Sequence, residues 1–176
     1  MTDQGASAAS SQSGLAERII AASRQDNEEL LREALKEEGG IAAVNKRNSA
    51  GSTALHYAAE FGAFGCLCTL LNVQGIALET RDTMHRETAL MRCVKSQRLN
   101  AELRLRCLAA LIHAGASAEV RDGSNRLAEE LLPAEESEAR SLLQQARLAK
   151  RLGAGDIVDD DDDDDDDDES ASSDDE

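Results

Sequence analysis

An all-α solenoid of short paired helices is the fold class that this sequence predicts, and two recurrences predict it. The triplet Thr53-Ala54-Leu55 returns as Thr88-Ala89-Leu90, 35 residues later. Each copy opens an apolar helical segment (Leu55, Ala58, Ala59, then Leu90, Cys93, Val94), and a second segment follows (Leu67, Leu70, Leu71, then Leu108, Leu111, Ile112). The pair Arg81-Asp82 returns as Arg121-Asp122, each about ten residues past its second helix. Self-similarity near 33 residues marks stacked helix–turn–helix units, none of which buries its apolar face alone.

The chain has 176 residues, one Tyr, two Phe and no Trp, so its core must come from Leu, Ile, Val and Ala. Such small side chains let helix axes approach closely. Pro133 is the only proline, which leaves long stretches free to be helical.

Residues 1–14 are rich in Ser, Ala and Gln without apolar periodicity, and a disordered lead-in is expected there. Order is expected over 15–152. Ile19, Ile20 and Ala22, then Leu30, Leu31, Ala34 and Leu35, recur at helical spacing, with a break at 23–27 and a stop at Gly39-Gly40. Four units are expected, at about 15–47, 48–82, 83–122 and 123–152. The third carries an insertion, because Leu55 to Leu70 spans 15 residues and Leu90 to Leu111 spans 21. The last is degenerate and ends in a closing helix over 141–152, with Leu142, Leu143, Ala146 and Ala149 inward.

Within the units, Ser49-Ala50-Gly51-Ser52-Thr53-Ala54-Leu55-His56-Tyr57-Ala58-Ala59-Glu60-Phe61-Gly62 resembles the ankyrin-repeat pattern G-x-T-P-L-H-x-A-x-x-x-G. Leu111-Ile112-His113-Ala114-Gly115-Ala116-Ser117-Ala118-Glu119-Val120-Arg121-Asp122 resembles that family's second-helix ending. The resemblance spans roughly 15–146. Thr53 suits an N-cap, and His56 can reach back to the same turn as in a capping box. Ala54 stands where the family has proline, and Met91 where it has the His. Small fungal-type ankyrin proteins with an acidic C-terminal tail, dedicated ribosomal-protein chaperones among them, are similar in layout.

The resemblance implies a protein-binding module. Carried over position by position, its concave face and hairpin tips would comprise Ser49, Ala50, Ser52, Glu60, Phe61, Met84, His85, Glu87, Lys95, Ser124 and Arg126. Phe61 is the large aromatic among them and reads equally as a partner anchor or a contact to the next repeat. A monomer is expected, with another protein as partner, and with no cofactor, metal, direct nucleic-acid binding or membrane contact.

Charge is distributed very unevenly. Residues 156–176 hold fifteen acids and no base, leaving 20 acids against 19 bases in 1–155, a net of −1. The run Asp159, Asp160, Asp161, Asp162, Asp163, Asp164, Asp165, Asp166, Asp167, Asp168 and Glu169 repels itself, and a disordered acidic tail is expected over 153–176. It reads equally as a counter-charge for a strongly basic partner, such as a ribosomal protein or histone, or as a solubilising tail. Ser172 and Ser173 each precede an acid by three positions, the pattern acidophilic kinases favour, so phosphorylation is expected there.

Cys66, Cys68, Cys93 and Cys107 occur without a secretory leader, so free thiols in the cytoplasm or nucleus are expected. Cys66, Cys93 and Cys107 fall on apolar positions and read as small buried hydrophobes. No nucleophile elbow, phosphate loop or nucleophile–His pairing is present, so the sequence does not read as an enzyme.

Overall fold

The computed structural model describes residues 5–153, with side chains from Gly14 onward. Helix α1 (Gly5–Gln25) opens ten residues before the Leu15 at which order was expected to begin. The longer helix has a simple cause. Residues 5–14 are Ala-rich and free of proline, so they can prolong a helix already anchored at Leu15, Ala16, Ile19 and Ile20.

The break expected at 23–27 is present: Asp26 takes a left-handed φ of 52°, and Asn27 caps α2 (Glu28–Lys36) by accepting the Leu30 N–H at 3.0 Å. Helix α2 ends at Lys36, short of the Gly39-Gly40 stop. Gly39 is left-handed and admits a single helical turn, α3 (Gly40–Ala43). A Cβ on Gly40 would lie 2.3 Å from the Ala34 carbonyl oxygen, so α2 and α3 meet backbone to backbone.

The second unit pairs α4 (Ala54–Phe61) with α5 (Phe64–Leu71). Gly62, at φ 67°, returns its N–H to Ala58 and turns the chain between them. The third unit pairs α6 (Ala89–Lys95) with a longer α7 (Ala101–His113), so the insertion is spent on the 96–100 loop and an added turn of α7. Buried Arg104 ties that loop down, donating from Nη2 to the Ser96 and Leu99 carbonyls and pairing through Nη1 with Glu136. The fourth unit keeps only a 3₁₀ turn (Ala128–Leu131) before α8 (Ser137–Gly153). Leu143 is inward and Leu142 and Ala146 half-buried, but Ala149 is exposed, since among the described residues no further repeat covers the end of the stack.

Two rows of helices result. α1, α4, α6 and the 3₁₀ turn stack in one, and α2, α5, α7 and α8 in the other. Between the rows Ile19, Leu31, Leu55, Leu67, Leu70, Leu90, Leu108, Leu111 and Leu143 are fully buried, each stabilising the fold by about 1.5–3 kcal/mol relative to exposure. Cys66, Cys93 and Cys107 lie in the same core as small apolar groups. Burial first, then the neighbouring Asp26, pushes the Cys66 thiol up to about 12.

Three finger-like turns project where one unit passes to the next, each built on one side chain. Oδ1 of Asn48 accepts the Ala50 and Ser52 N–H groups, both at 3.0 Å. Oδ1 of Asp82 accepts those of His85 and Glu87 at 2.9 and 3.2 Å, and Oδ1 of Asp122 those of Ser124 and Arg126 at 2.8 and 2.9 Å. Each finger also has one left-handed residue: Gly51, Arg86 and Asn125. The fingers are stitched together, with Thr83 N–H donating to the Ala50 carbonyl at 3.2 Å and Gly123 N–H to the His85 carbonyl at 2.8 Å.

Candidate protein-binding face

The fingers and the α1–α4–α6 row bring together most of the residues that the resemblance placed on the binding face. Ser49, Met84, His85, Lys95, Ser124 and Arg126 are exposed, and Ala50, Glu60 and Phe61 are half-buried. Met84, at 71 % exposure, is the most open large apolar side chain of the fingers.

Ser52 and Glu87 do not belong to that surface. They are 1 % and 2 % exposed, because each is the residue just before a helix N-cap and is folded beneath its own finger. Glu87 instead joins a charge network. Its carboxylate pairs with Lys95 and lies 3.5 Å from Arg92 Nε. Arg92 also reaches Glu60 at 2.7 Å and Asp82 at 2.6 Å, linking α4, the second finger and α6. Burial alone would raise the Asp82 carboxyl; the Arg92 guanidinium and the two backbone N–H donors outweigh it and hold the group below the ordinary carboxylate range. Asp82, His85 and Glu87 set three ligand-type atoms within 4.8 Å of one another. Both carboxylates are already engaged by Arg92, Lys95 and backbone N–H groups, so the cluster is built as an ion-pair network.

Phe61 has a role that its sequence position did not reveal. The guanidinium of Arg24, from α1, stands 5.3 Å from its ring centroid, and that of Arg98, from the α6–α7 loop, stands 4.5 Å away. Tyr57 lies 6.4 Å from Phe61, and its hydroxyl accepts from Asn48 Nδ2 at 2.7 Å. Two aromatic rings and two exposed arginines from three successive units thus form one platform. A period-based reading misses it because Arg24 and Arg98 lie at a helix end and in an insertion, where no repeat position exists to compare.

A family model for ankyrin repeats, in three copies, matches residues 18–122. The chain belongs to the ankyrin-repeat family. The match takes in the first three units, with the fingers at Asn48 and Asp82 inside it and the third finger opening at its edge. Ankyrin repeats make this chain a protein–protein interaction module. No helix among the described residues is long and apolar enough to cross a membrane. The acidic run Asp159–Glu169 and the serines Ser172 and Ser173 lie outside the described residues.

Proposed function

We propose that this ankyrin-repeat protein is an adaptor or chaperone-like binder whose repeats recognise a client by shape and whose acidic tail captures and shields a strongly basic client, such as a ribosomal protein or histone. The observation that carries the reading is the separation of charge: fifteen acids fall in residues 156–176, beside a repeat region of net −1. Dense negative charge on a tether raises encounter rates with a basic protein and stands in for the phosphate backbone that protein otherwise contacts. The client would meet the exposed finger residues Ser49, Met84, His85, Ser124 and Arg126 and the Phe61 platform, a monomer presenting them in the cytoplasm or nucleus. Phosphorylation of Ser172 and Ser173 would deepen the charge of the tail.

The competing reading is a generic scaffold, or an inhibitor that occludes a regulatory protein, with a tail that only keeps it soluble. Affinity capture from lysate, with and without residues 159–176, separates the two. Capture proposes a strongly basic protein recovered by the full chain, weakened by salt and lost with the tail. Equal recovery by both proteins assigns the tail to solubility.

A further inference from the structure

Arg47, Arg81 and Arg121 occupy the same position in three successive fingers, each immediately before the side chain (Asn48, Asp82, Asp122) that closes its turn. The hydrogen bonds from Thr83 to Ala50 and from Gly123 to His85 hold the fingers side by side, so the three arginines form a ladder. Arg86, at the left-handed position of the middle finger, adds a fourth cation, and Arg47, Arg81 and Arg86 border one shallow depression with Thr83 and Glu79. Among the described residues no ion pair joins any of these four arginines to a carboxylate. The acids around them are already occupied: Asp82 by Arg92, Asp122 by Arg126 and Glu119 by Arg151. Glu79 accepts the Ser117 N–H at 2.6 Å.

The end of α8 lies beside this ladder. Arg151 Nε meets Glu119 Oε1 at 2.9 Å, only two residues ahead of Arg121. Five residues lie between Gly153 and Asp159, and the six Cα–Cα steps from one to the other reach about 20 Å when extended. The eleven acids of Asp159–Glu169 would cover about 36 Å, more than the roughly 20 Å that three fingers occupy at a repeat spacing of about 10 Å.

We propose that the acidic tail docks in cis on the arginine ladder of Arg47, Arg81 and Arg121, so that the chain occupies its own finger surface until a ligand displaces it. Charge, reach and length agree on this occupant, and tethering gives it an effective concentration on the order of millimolar. A basic client that draws off the tail uncovers the fingers, and an acidic ligand has to compete with the tail for them. The inference goes beyond client capture and fails separately from it, because its test contains no client.

The test uses the full-length chain, native or with every residue from Asp159 to Asp168 changed to Asn, and fluorescein-labelled deca-aspartate as probe. At low salt the probe is expected to bind the Asn-tail protein at least roughly tenfold more tightly than the native one. Adding Arg47→Gln, Arg81→Gln and Arg121→Gln to the Asn-tail protein is expected to abolish binding, with circular dichroism confirming that the helices persist. As a readout independent of those substitutions, finger amide resonances are expected to differ between native and Asn tails at low salt and to coincide at high salt. Equal probe affinity for the two tails, no binding to the Asn-tail protein, or identical finger resonances overturns the proposal. So does a resonance difference that grows with protein concentration, which places the tail on a second copy. Equal binding of a single-stranded oligonucleotide by both tails also overturns it, since a phosphate backbone would then be the occupant.

Discussion

His56 Nε2 lies 3.1 Å from the Glu87 carbonyl oxygen, while its Nδ1 receives the Thr53 N–H at 3.1 Å and stands 3.0 Å from the Thr53 hydroxyl. One imidazole thereby caps its own helix and holds the next finger. Accepting at Nδ1 and donating at Nε2 requires the neutral ring. Burial lowers its pKa from the ordinary 6.5, and this outweighs the opposing hydrogen bond to Glu87. A folded-state pKa below the unfolded one means that the unfolded chain binds the proton more readily. The associated stability is complete above pH ~6.5 and is lost as pH falls through the folded value. The melting temperature should be flat from pH 8 to 7 and decline from about pH 6.5 downward. His56→Gln, which keeps a capping-box side chain, should flatten the part of the profile above the carboxylate range. An unchanged slope in that variant would assign the titration elsewhere.

The third unit shows what happens without that imidazole. Met91 takes the place of His56, is 1 % exposed, and cannot pair with Thr88, whose hydroxyl is buried without a partner. Met91→His should supply both missing bonds, Nδ1 to Thr88 and Nε2 to the carbonyl of Arg126, the counterpart of Glu87. The hydrogen bonds offset the lost thioether packing, so stability should be maintained or raised by up to about 1 kcal/mol in chemical denaturation. Met91→Ala, by contrast, should cost about 2–5 kcal/mol. A His variant as weak as the Ala variant refutes the assignment.

Removing Arg92 should be among the most damaging single changes at a charged position. Arg92→Met would leave Glu60, Asp82 and Glu87 facing one another, with Lys95 alone to offset them. Breaking a buried pair from one side costs about 3–5 kcal/mol. Asp82→Asn should cost less than Asp82→Ala, because asparagine can close the same turn, as Asn48 does in the first finger. Unfolding midpoints of the three variants in urea give the order directly.

The repeat architecture is legible because periodicity survives in Thr53/Thr88 and Leu55/Leu90, which start and pack the first helix of the second and third units in the same way. The first turns of α1 are not legible in the sequence because residues 5–14 face no periodic demand; their helix follows from propensity and a neighbour already in place. The burial of Ser52 and Glu87 is hidden in the sequence for a related reason. A polar residue in a finger looks exposed in sequence, yet the position before the N-cap points under the turn. The Phe61 platform depends on Arg24 and Arg98, which are contributed from other units and share no period with it.

Two glycines separate backbone strain from contact. Gly51 and Gly75 both have positive φ, 73° and 80°. A Cβ on Gly75 meets nothing within 4 Å, whereas one on Gly51 would lie 2.7 Å from the Thr83 nitrogen, in the stitch between the first two fingers. Gly75→Ala should therefore cost only the left-handed penalty, about 1–2 kcal/mol. Gly51→Ala should cost more and should raise hydrogen exchange at Thr83, whose N–H donates to Ala50. Equal costs would mean that the fingers part without penalty.

Phe61 tests whether the aromatic platform serves binding or only stability. The ring is half-buried and lies outside the main core, held by Arg24 and Arg98. Each cation–π contact contributes about 0.5–1 kcal/mol at such a site, so Phe61→Ala should lower stability by no more than about 2 kcal/mol. Truncating a core phenylalanine costs about 3–5 kcal/mol, and a loss of that size would make Phe61 a packing residue. If the ring anchors a partner, recovery of the captured protein should fall by more than tenfold, beyond the share left unfolded. Arg98→Gln supplies the comparison, because it removes a cation from the ring and leaves the apolar surface in place. Should Phe61→Ala abolish capture while Arg98→Gln spares it, the contact is apolar; if both abolish it, the partner reads the guanidinium as well as the ring.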